Sequence, residues 1–358
     1  MIQSITIADF MKMEEAIPLA DVRTPAEFSH GHVPGATNMP LFSNEERARV
    51  GITYKQTGRE AAIILGFDLT GSKWSGFIRE ACGFSPQKKL AVHCWRGGMR
   101  SEAMAWALNF YGFDVFVLQG GYKQYRRWVL NQIEEPGNLY VVGGMTGSGK
   151  TRILQELRGM EEQVIDLEHL AQHRGSTYGS LNRLEQPTQE QFENNLAAEL
   201  QRLDRTRRIW LEDESLTIGR CSIPKSLWDR MQSTSLYFLE VPLEDRVQAL
   251  VQEYGSLDKE FLVLCTDRIR KRLGPEQTKK AIAAIKENRM EEFVRWVLVY
   301  YDKTYQTGLI NRSGKRICRI PVPGDNPAEN ASLILQKASN FSDIPVNKTW
   351  RHERRRGD

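Results

Sequence analysis

Two short stretches of the 358-residue chain concentrate the residue types that do chemistry. The first is His93-Cys94-Trp95-Arg96-Gly97-Gly98-Met99-Arg100-Ser101. A cysteine that closes an apolar run and is followed by a glycine-containing loop and a helix has backbone N–H groups and the positive helix end aimed at its sulfur. Both favour the thiolate, the nucleophilic form. Arg96 and Arg100 add positive charge, so the loop from Trp95 through Gly97, Gly98 and Met99 to Arg100 reads as a cradle for an anion delivered to Cys94. Cys82, Cys221, Cys265 and Cys318 have no such surroundings and read as small core residues.

The second stretch, Gly144-Met-Thr-Gly147-Ser148-Gly149-Lys150-Thr151, follows an apolar run and opens a helix, the setting in which G-x4-G-K-T binds phosphate. Its glycines let successive amides surround two linked phosphates, Lys150 neutralises the outer one, and Thr151 suits a magnesium ion. Such a loop recognises a diphosphate and says nothing of what is attached to it. No adenine-binding signature follows, so ATP is not implied. The apolar run Ile209–Leu211 leads into Asp213 and Glu214, acids that either hold a metal or form a solvated turn beside Arg202, Arg205, Arg207 and Arg208. The segment 166–176 sets His169, His173 and Arg174 near a glycine, either as an active-site loop or as a capped helix with exposed histidines.

These loops need elements to hold them. Short apolar runs at 18–22, 90–93 and 115–118 predict buried strands, and Met104, Ala105, Leu108 and Tyr111 predict a helix over 101–111. That order is the repeating unit of a parallel α/β sheet. The runs 139–142, 164–165, 209–211 and 236–239 repeat the style. Thr188 and Gln191 predict a capping box ahead of Phe192, Leu196, Leu200 and Leu203, and 243–305 reads as mainly helical. The polar Pro136-Gly137 segment predicts a boundary between a domain over 1–135 and one over 136–358.

Composition narrows the class. With 41% hydrophobic and 26% charged residues, no long apolar window and no basic, apolar leader, the expectation is a cytoplasmic globular protein with no membrane association. Five scattered cysteines fit neither a disulfide framework nor a structural zinc. The net charge of +4 resides mostly in the last eleven residues, KTWRHERRRGD. Any nucleic-acid surface therefore rests on local clusters: Lys123, Arg126 and Arg127; Arg202 to Arg208, including Arg205 and Arg208; Arg268 to Arg272; and Arg351 to Arg356. Trp95 or Tyr178 is suited to stack on an extruded base.

Cys94-x5-Arg100, with Asp21-Val-Arg23, Glu27-Phe28 and His32-Val-Pro-Gly-Ala36 upstream, makes residues 5–130 resemble the rhodanese family. The resemblance implies that Cys94 carries sulfur or selenium in its loop. Cysteine phosphatases share a Cys-x5-Arg loop, but no aspartate lies close in sequence as a general acid. Adding the phosphate loop and the segments 166–176 and 212–219, nearly the whole chain resembles the bacterial tRNA 2-selenouridine synthases. That resemblance implies a rhodanese-like α/β domain followed by a P-loop NTPase-like parallel α/β domain with a helical C-terminal part. It implies a transferase that geranylates the wobble 2-thiouridine of tRNA with geranyl diphosphate. Selenium from selenophosphate, made by a partner enzyme, then replaces the S-geranyl group through a Cys94 S-selanyl intermediate. No cofactor is permanently bound on this reading. The competing reading is an ATP-dependent sulfurtransferase or kinase fused to a persulfide carrier; a third is a carrier module alone.

Overall fold

The computed structural model describes residues 1–13, 17–173, 178, 185–311, 317–324 and 326–341. The chain forms two compact units that interleave in sequence: Met1–Gly137, Leu167–Arg205 and Glu214–Asp229 make the first, and Asn138–Asp166, Thr206–Asp213 and the chain from Arg230 onward make the second. Among the described residues no helix is long and apolar enough to cross a membrane.

The first unit is built on a parallel five-stranded sheet in the order Ile2–Ile5, Asp114–Leu118, Lys89–His93, Leu19–Asp21, Thr37–Asn38. Leu90, Ala91 and Val92 are fully buried, as a central parallel strand covered on both faces requires. Val92, Met104, Leu108, Phe113 and Val115 join Leu41 and Phe77 in one core. The helix after the cysteine loop runs Met99–Phe110, starting two residues earlier than its apolar spacing suggests. The edge strand Ile2–Ile5 escaped the pattern reading because its first three residues are exposed, which removes the apolar signal.

The second unit has a parallel sheet in the order Ile317–Pro321, Leu236–Glu240, Asn138–Gly144, Arg208–Glu212, Gln163–Ile165. The strand that leads into the phosphate loop is therefore central, and its register pairs Val142 with Glu212. Tyr140, Trp210 and Tyr237 pack as an aromatic cluster on one face of this sheet, with ring centroids 5.0–5.7 Å apart. Helices follow from Leu243 to Asn311, as expected, and a last helix spans Pro327–Phe341.

The helix Gln189–Arg202 begins at Thr188, whose hydroxyl accepts the Gln191 N–H at 3.0 Å. The Gln191 side chain does not return the bond as a capping box would. Its carbonyl oxygen accepts from His32 N–H at 2.8 Å, so Gln191 ties this helix to the first unit's N-terminal part.

Candidate active site

Cys94 follows the strand Lys89–His93 directly, and Gly98 caps the next helix without a side-chain bond, leaving the first amides of Met99–Phe110 facing the loop. The thiol is buried, and Ser101 Oγ donates to Cys94 Sγ at 3.3 Å. Burial acts to raise its pKa. Hydrogen bonds from the Ser101 hydroxyl and the Arg96 and Ser101 amides, together with the Arg100 charge, outweigh burial and hold the thiol below its ordinary value. Burial pushes the thiols of Cys221, Cys265 and Cys318 the other way.

Two glycines allow the loop its close neighbour. Gly97 sits at φ 68° and Gly121 at φ 56°. A Cβ on Gly97 would lie 2.6 Å from Leu118 O, and one on Gly121 would lie 2.4 Å from Cys94 O. With no side chain between them, Tyr122 N–H donates to Cys94 O and Lys123 N–H to Trp95 O, both at 2.9 Å. The loop is thus pinned by the backbone of the helix Gly121–Glu134.

Behind the loop lies a buried polar network. Arg23 and Asp21 form a buried bidentate ion pair, Arg23 Nη2 also donates to Gly31 O at 2.7 Å, and the guanidinium stacks 3.6 Å above the Tyr122 ring. His93 is fully buried, and that burial lowers its pKa and favours the neutral ring. Tyr122 Oη donates to Glu190 Oε1 at 2.9 Å and accepts from Asn194 Nδ2 at 2.8 Å, which also reaches His32 O.

In the second unit, the turn from the strand Asn138–Gly144 into the helix Lys150–Gly159 places Gly147 at φ 83° and Gly149 at φ 71°. Gly147 packs against Arg246 O, where a Cβ would come within 2.9 Å. Lys150 Nζ donates to Gly144 O at 3.1 Å and stands 3.5 Å from Glu212 Oε1, while Thr151 Oγ1 donates to Glu212 Oε2 at 3.3 Å. Lysine, hydroxyl and a buried carboxylate therefore converge at the start of this helix, a set of groups that could hold a phosphate and a metal ion. Arg246 supports the loop from below: it donates to Thr146 O at 3.2 Å and pairs with both oxygens of Asp302 at 2.8 Å. Tyr305, one turn further along the helix Met290–Asn311, accepts from Gly144 N–H at 3.3 Å and donates to Asp213 Oδ2 at 2.6 Å.

Residues 6–127 match the family model described as rhodanese-like domain, and residues 137–321 match the one described as tRNA 2-selenouridine synthase AAA domain. Curated relatives named tRNA 2-selenouridine synthase include a Hydrogenovibrio crunogenus protein, 36% identical over 89% of this chain and 96% of its own length. One from Marinobacter nauticus is 35% identical over 85% of this chain and 91% of its own. A Nitrosomonas eutropha relative of that name is 40% identical over 66% of this chain, a match that spans 63% of the relative's length. The chain belongs to the tRNA 2-selenouridine synthase family.

In this member of the tRNA 2-selenouridine synthase family the expected site residues fall as follows. Cys94 and the loop Trp95–Arg100 lie together, but Arg100 is committed to Glu27 through a two-pronged ion pair at 2.8 and 3.3 Å. Arg96 is exposed and makes no ion pair among the described residues. Gly144, Gly147, Ser148, Gly149, Lys150 and Thr151 form the phosphate loop. The acid that meets it is Glu212, and Asp213 reaches it through Tyr305. Glu214 belongs to the first unit. Neither Glu212 nor Tyr305 stood out in the sequence; the parallel register that sets Glu212 beside Val142 is what singles out the first of them.

Arg208 lies at the opposite end of its strand from Glu212 and pairs with Glu162. Arg205 donates to Glu135 O at 2.7 Å, and Arg126 is bound to Asn194 and Glu193. Tyr178 is fully buried, closed to an incoming base, whereas Trp95 is 38% exposed. His173 is half-buried, and burial lowers its pKa. Arg174 and Arg351 to Arg356 lie outside the described residues.

Proposed function

We propose that the chain is a tRNA 2-selenouridine synthase acting on the wobble 2-thiouridine in two steps. The observation that carries the reading is the Cys94 thiol, held below its ordinary pKa by Ser101 and loop amides, in a chain of this family that also bears the Lys150–Thr151–Glu212 phosphate site.

In the first step the thiocarbonyl sulfur attacks C1 of geranyl diphosphate; the S–C bond forms, the C–O bond breaks, and diphosphate leaves. The loop amides and Lys150 bind the diphosphate and stabilise the charge it gains. Thr151 and Glu212 would hold a magnesium ion, which when bound supplies further charge neutralisation. Alkylation matters because the sulfur can then leave C2 as a thiolate.

In the second step selenium at the selenide level arrives as selenophosphate from a supplying enzyme and reaches C2 by one of two balanced courses. In one, the Cys94 thiolate attacks selenium, the Se–P electron pair leaves on phosphorus as phosphite, and the S-selanyl group attacks C2. Geranylthiolate departs, and an external thiol then attacks Cys94 Sγ: the S–Se bond breaks, selenium stays on C2 as the selenolate, and Cys94 is left in a disulfide that a further thiol reduces. In the other, selenophosphate attacks C2 directly, geranylthiolate departs, and water releases phosphate. The rhodanese-like cradle around Cys94 favours the first, and the phosphorus product distinguishes them. Five free cysteines suit the reducing cytoplasm.

The test is incubation with 2-thiouridine-containing tRNA, geranyl diphosphate and selenophosphate, followed by mass spectrometry of the nucleosides. Cys94→Ala is expected to accumulate S-geranyl-2-thiouridine without selenation, and Lys150→Ala to abolish geranylation. Normal 2-selenouridine from Cys94→Ala would overturn the role of Cys94. Magnesium-dependent ATP turnover with no geranyl transfer would replace the reading by the kinase one.

A further inference from the structure

A groove of about 1340 Å³ opens in the first unit between the helices Asn44–Gln56, Arg59–Thr70 and Met99–Phe110. It exceeds the roughly 300–1,000 Å³ of an ordinary small-molecule pocket. Its walls are mainly apolar: Phe42, Val50, Ile63, Phe67 and Trp106 among them, with Phe67 60% and Trp106 62% exposed. Apolar surface of this extent is seldom left facing water without a use. One end is formed by Arg96, Met99 and Arg100, so the groove reaches the Cys94 loop. Arg47, Lys55 and Arg96 also line it and make no ion pair among the described residues, whereas Arg100 and Glu27 neutralise each other.

We infer that this groove seats the hydrocarbon group of an S-alkylated nucleotide within RNA, with the chain on the apolar wall and the phosphate backbone against Arg47, Lys55 and Arg96. The inference rests on the two-step reading above and names where its intermediate is held for the second step. The two halves of the surface decide the occupant. An unalkylated RNA would have no use for the apolar wall, and an apolar peptide would have none for the unpaired cations. An alkylated nucleotide uses both, and the groove brings its C2 toward the loop that bears Cys94.

The experiment measures binding of the full chain to RNA hairpins carrying 2-thiouridine, S-methyl-2-thiouridine or S-geranyl-2-thiouridine in the loop. The geranyl hairpin is expected to bind at least about tenfold more tightly than the methyl one, since nine further carbons leave water. Phe67→Ser combined with Trp106→Ser should erase that difference, with a melting curve to establish that the variant is folded. Arg47→Gln combined with Lys55→Gln should weaken all three hairpins and flatten their salt dependence. Equal binding of methyl and geranyl hairpins, or a preference that survives the double serine variant, would overturn the assignment. So would a serine variant that loses affinity for free geranyl diphosphate while keeping the hairpin preference. Conversion to 2-selenouridine by the same wild-type protein separates the two claims: conversion without the preference sinks the groove alone, and preference without conversion sinks the two-step reading.

Discussion

Ser101 donates its hydroxyl to Cys94 Sγ across 3.3 Å, from the first turn of the helix that follows the loop. The bond favours the charged sulfur, so the thiol of the folded protein ionises at lower pH than a free cysteine. The rate of iodoacetamide alkylation at Cys94 should therefore climb to its plateau at a pH below that of a cysteine peptide. Ser101→Ala removes one stabilising donor and should move the midpoint up by about half to one pH unit. Peptide mapping across a pH series checks both, and an unmoved midpoint would remove Ser101 from the activation of the sulfur.

Glu212 touches both Lys150 and Thr151, whereas Asp213 touches Tyr305. Glu212→Gln should weaken magnesium-dependent diphosphate binding by at least about tenfold, because charge is lost where metal and lysine meet. Asp213→Asn, at the carboxylate that accepts from the Tyr305 hydroxyl, should change it by much less. Calorimetry with geranyl diphosphate and magnesium orders the two, and the reverse order would reassign the acid.

Gly97 and Gly121 combine positive φ with backbone atoms 2.4–2.6 Å from where a Cβ would stand. Alanine at either position should cost about 2 kcal/mol or more and slow Cys94 alkylation as the loop is displaced. Gly98 has nothing within 4 Å of its Cβ position, so Gly98→Ala is the tolerated control. Chemical denaturation of the three variants gives the comparison.

Arg246 is buried and balanced by Asp302. Asp302→Asn leaves a buried guanidinium without its counter-charge and should destabilise the second unit by about 3–5 kcal/mol. The same change loosens Thr146, so diphosphate affinity should fall along with the melting temperature. A variant that melts normally would show that the pair is dispensable.

The reactive loops and the central strands were legible in the sequence because each depends on local composition. A run such as Leu90-Ala-Val is apolar throughout when both faces of a strand are covered, and a glycine-rich turn ahead of Lys150-Thr151 carries its own geometry. Two edge strands were not legible, since Ile2 is exposed and Arg319 interrupts the strand Ile317–Pro321. Glu212 was masked by two neighbouring acids, and only strand register separates it from them. The pairing of Tyr122 with Asn194 joins residues far apart in sequence, and no local pattern encodes it. Arg126 looked like a cation awaiting phosphate for the same reason: its carboxylate partners lie beyond the phosphate loop.

The helix Gln189–Arg202 packs with the cysteine-bearing unit although the gene encodes it after the phosphate loop. Cutting the chain at the Pro136-Gly137 segment would therefore strip Tyr122, Arg126 and His32 of their hydrogen-bond partners. Recombination that exchanged the N-terminal part alone between relatives would carry half of a matched pair of surfaces. Substitutions at Tyr122 and Asn194 should accordingly be inherited together.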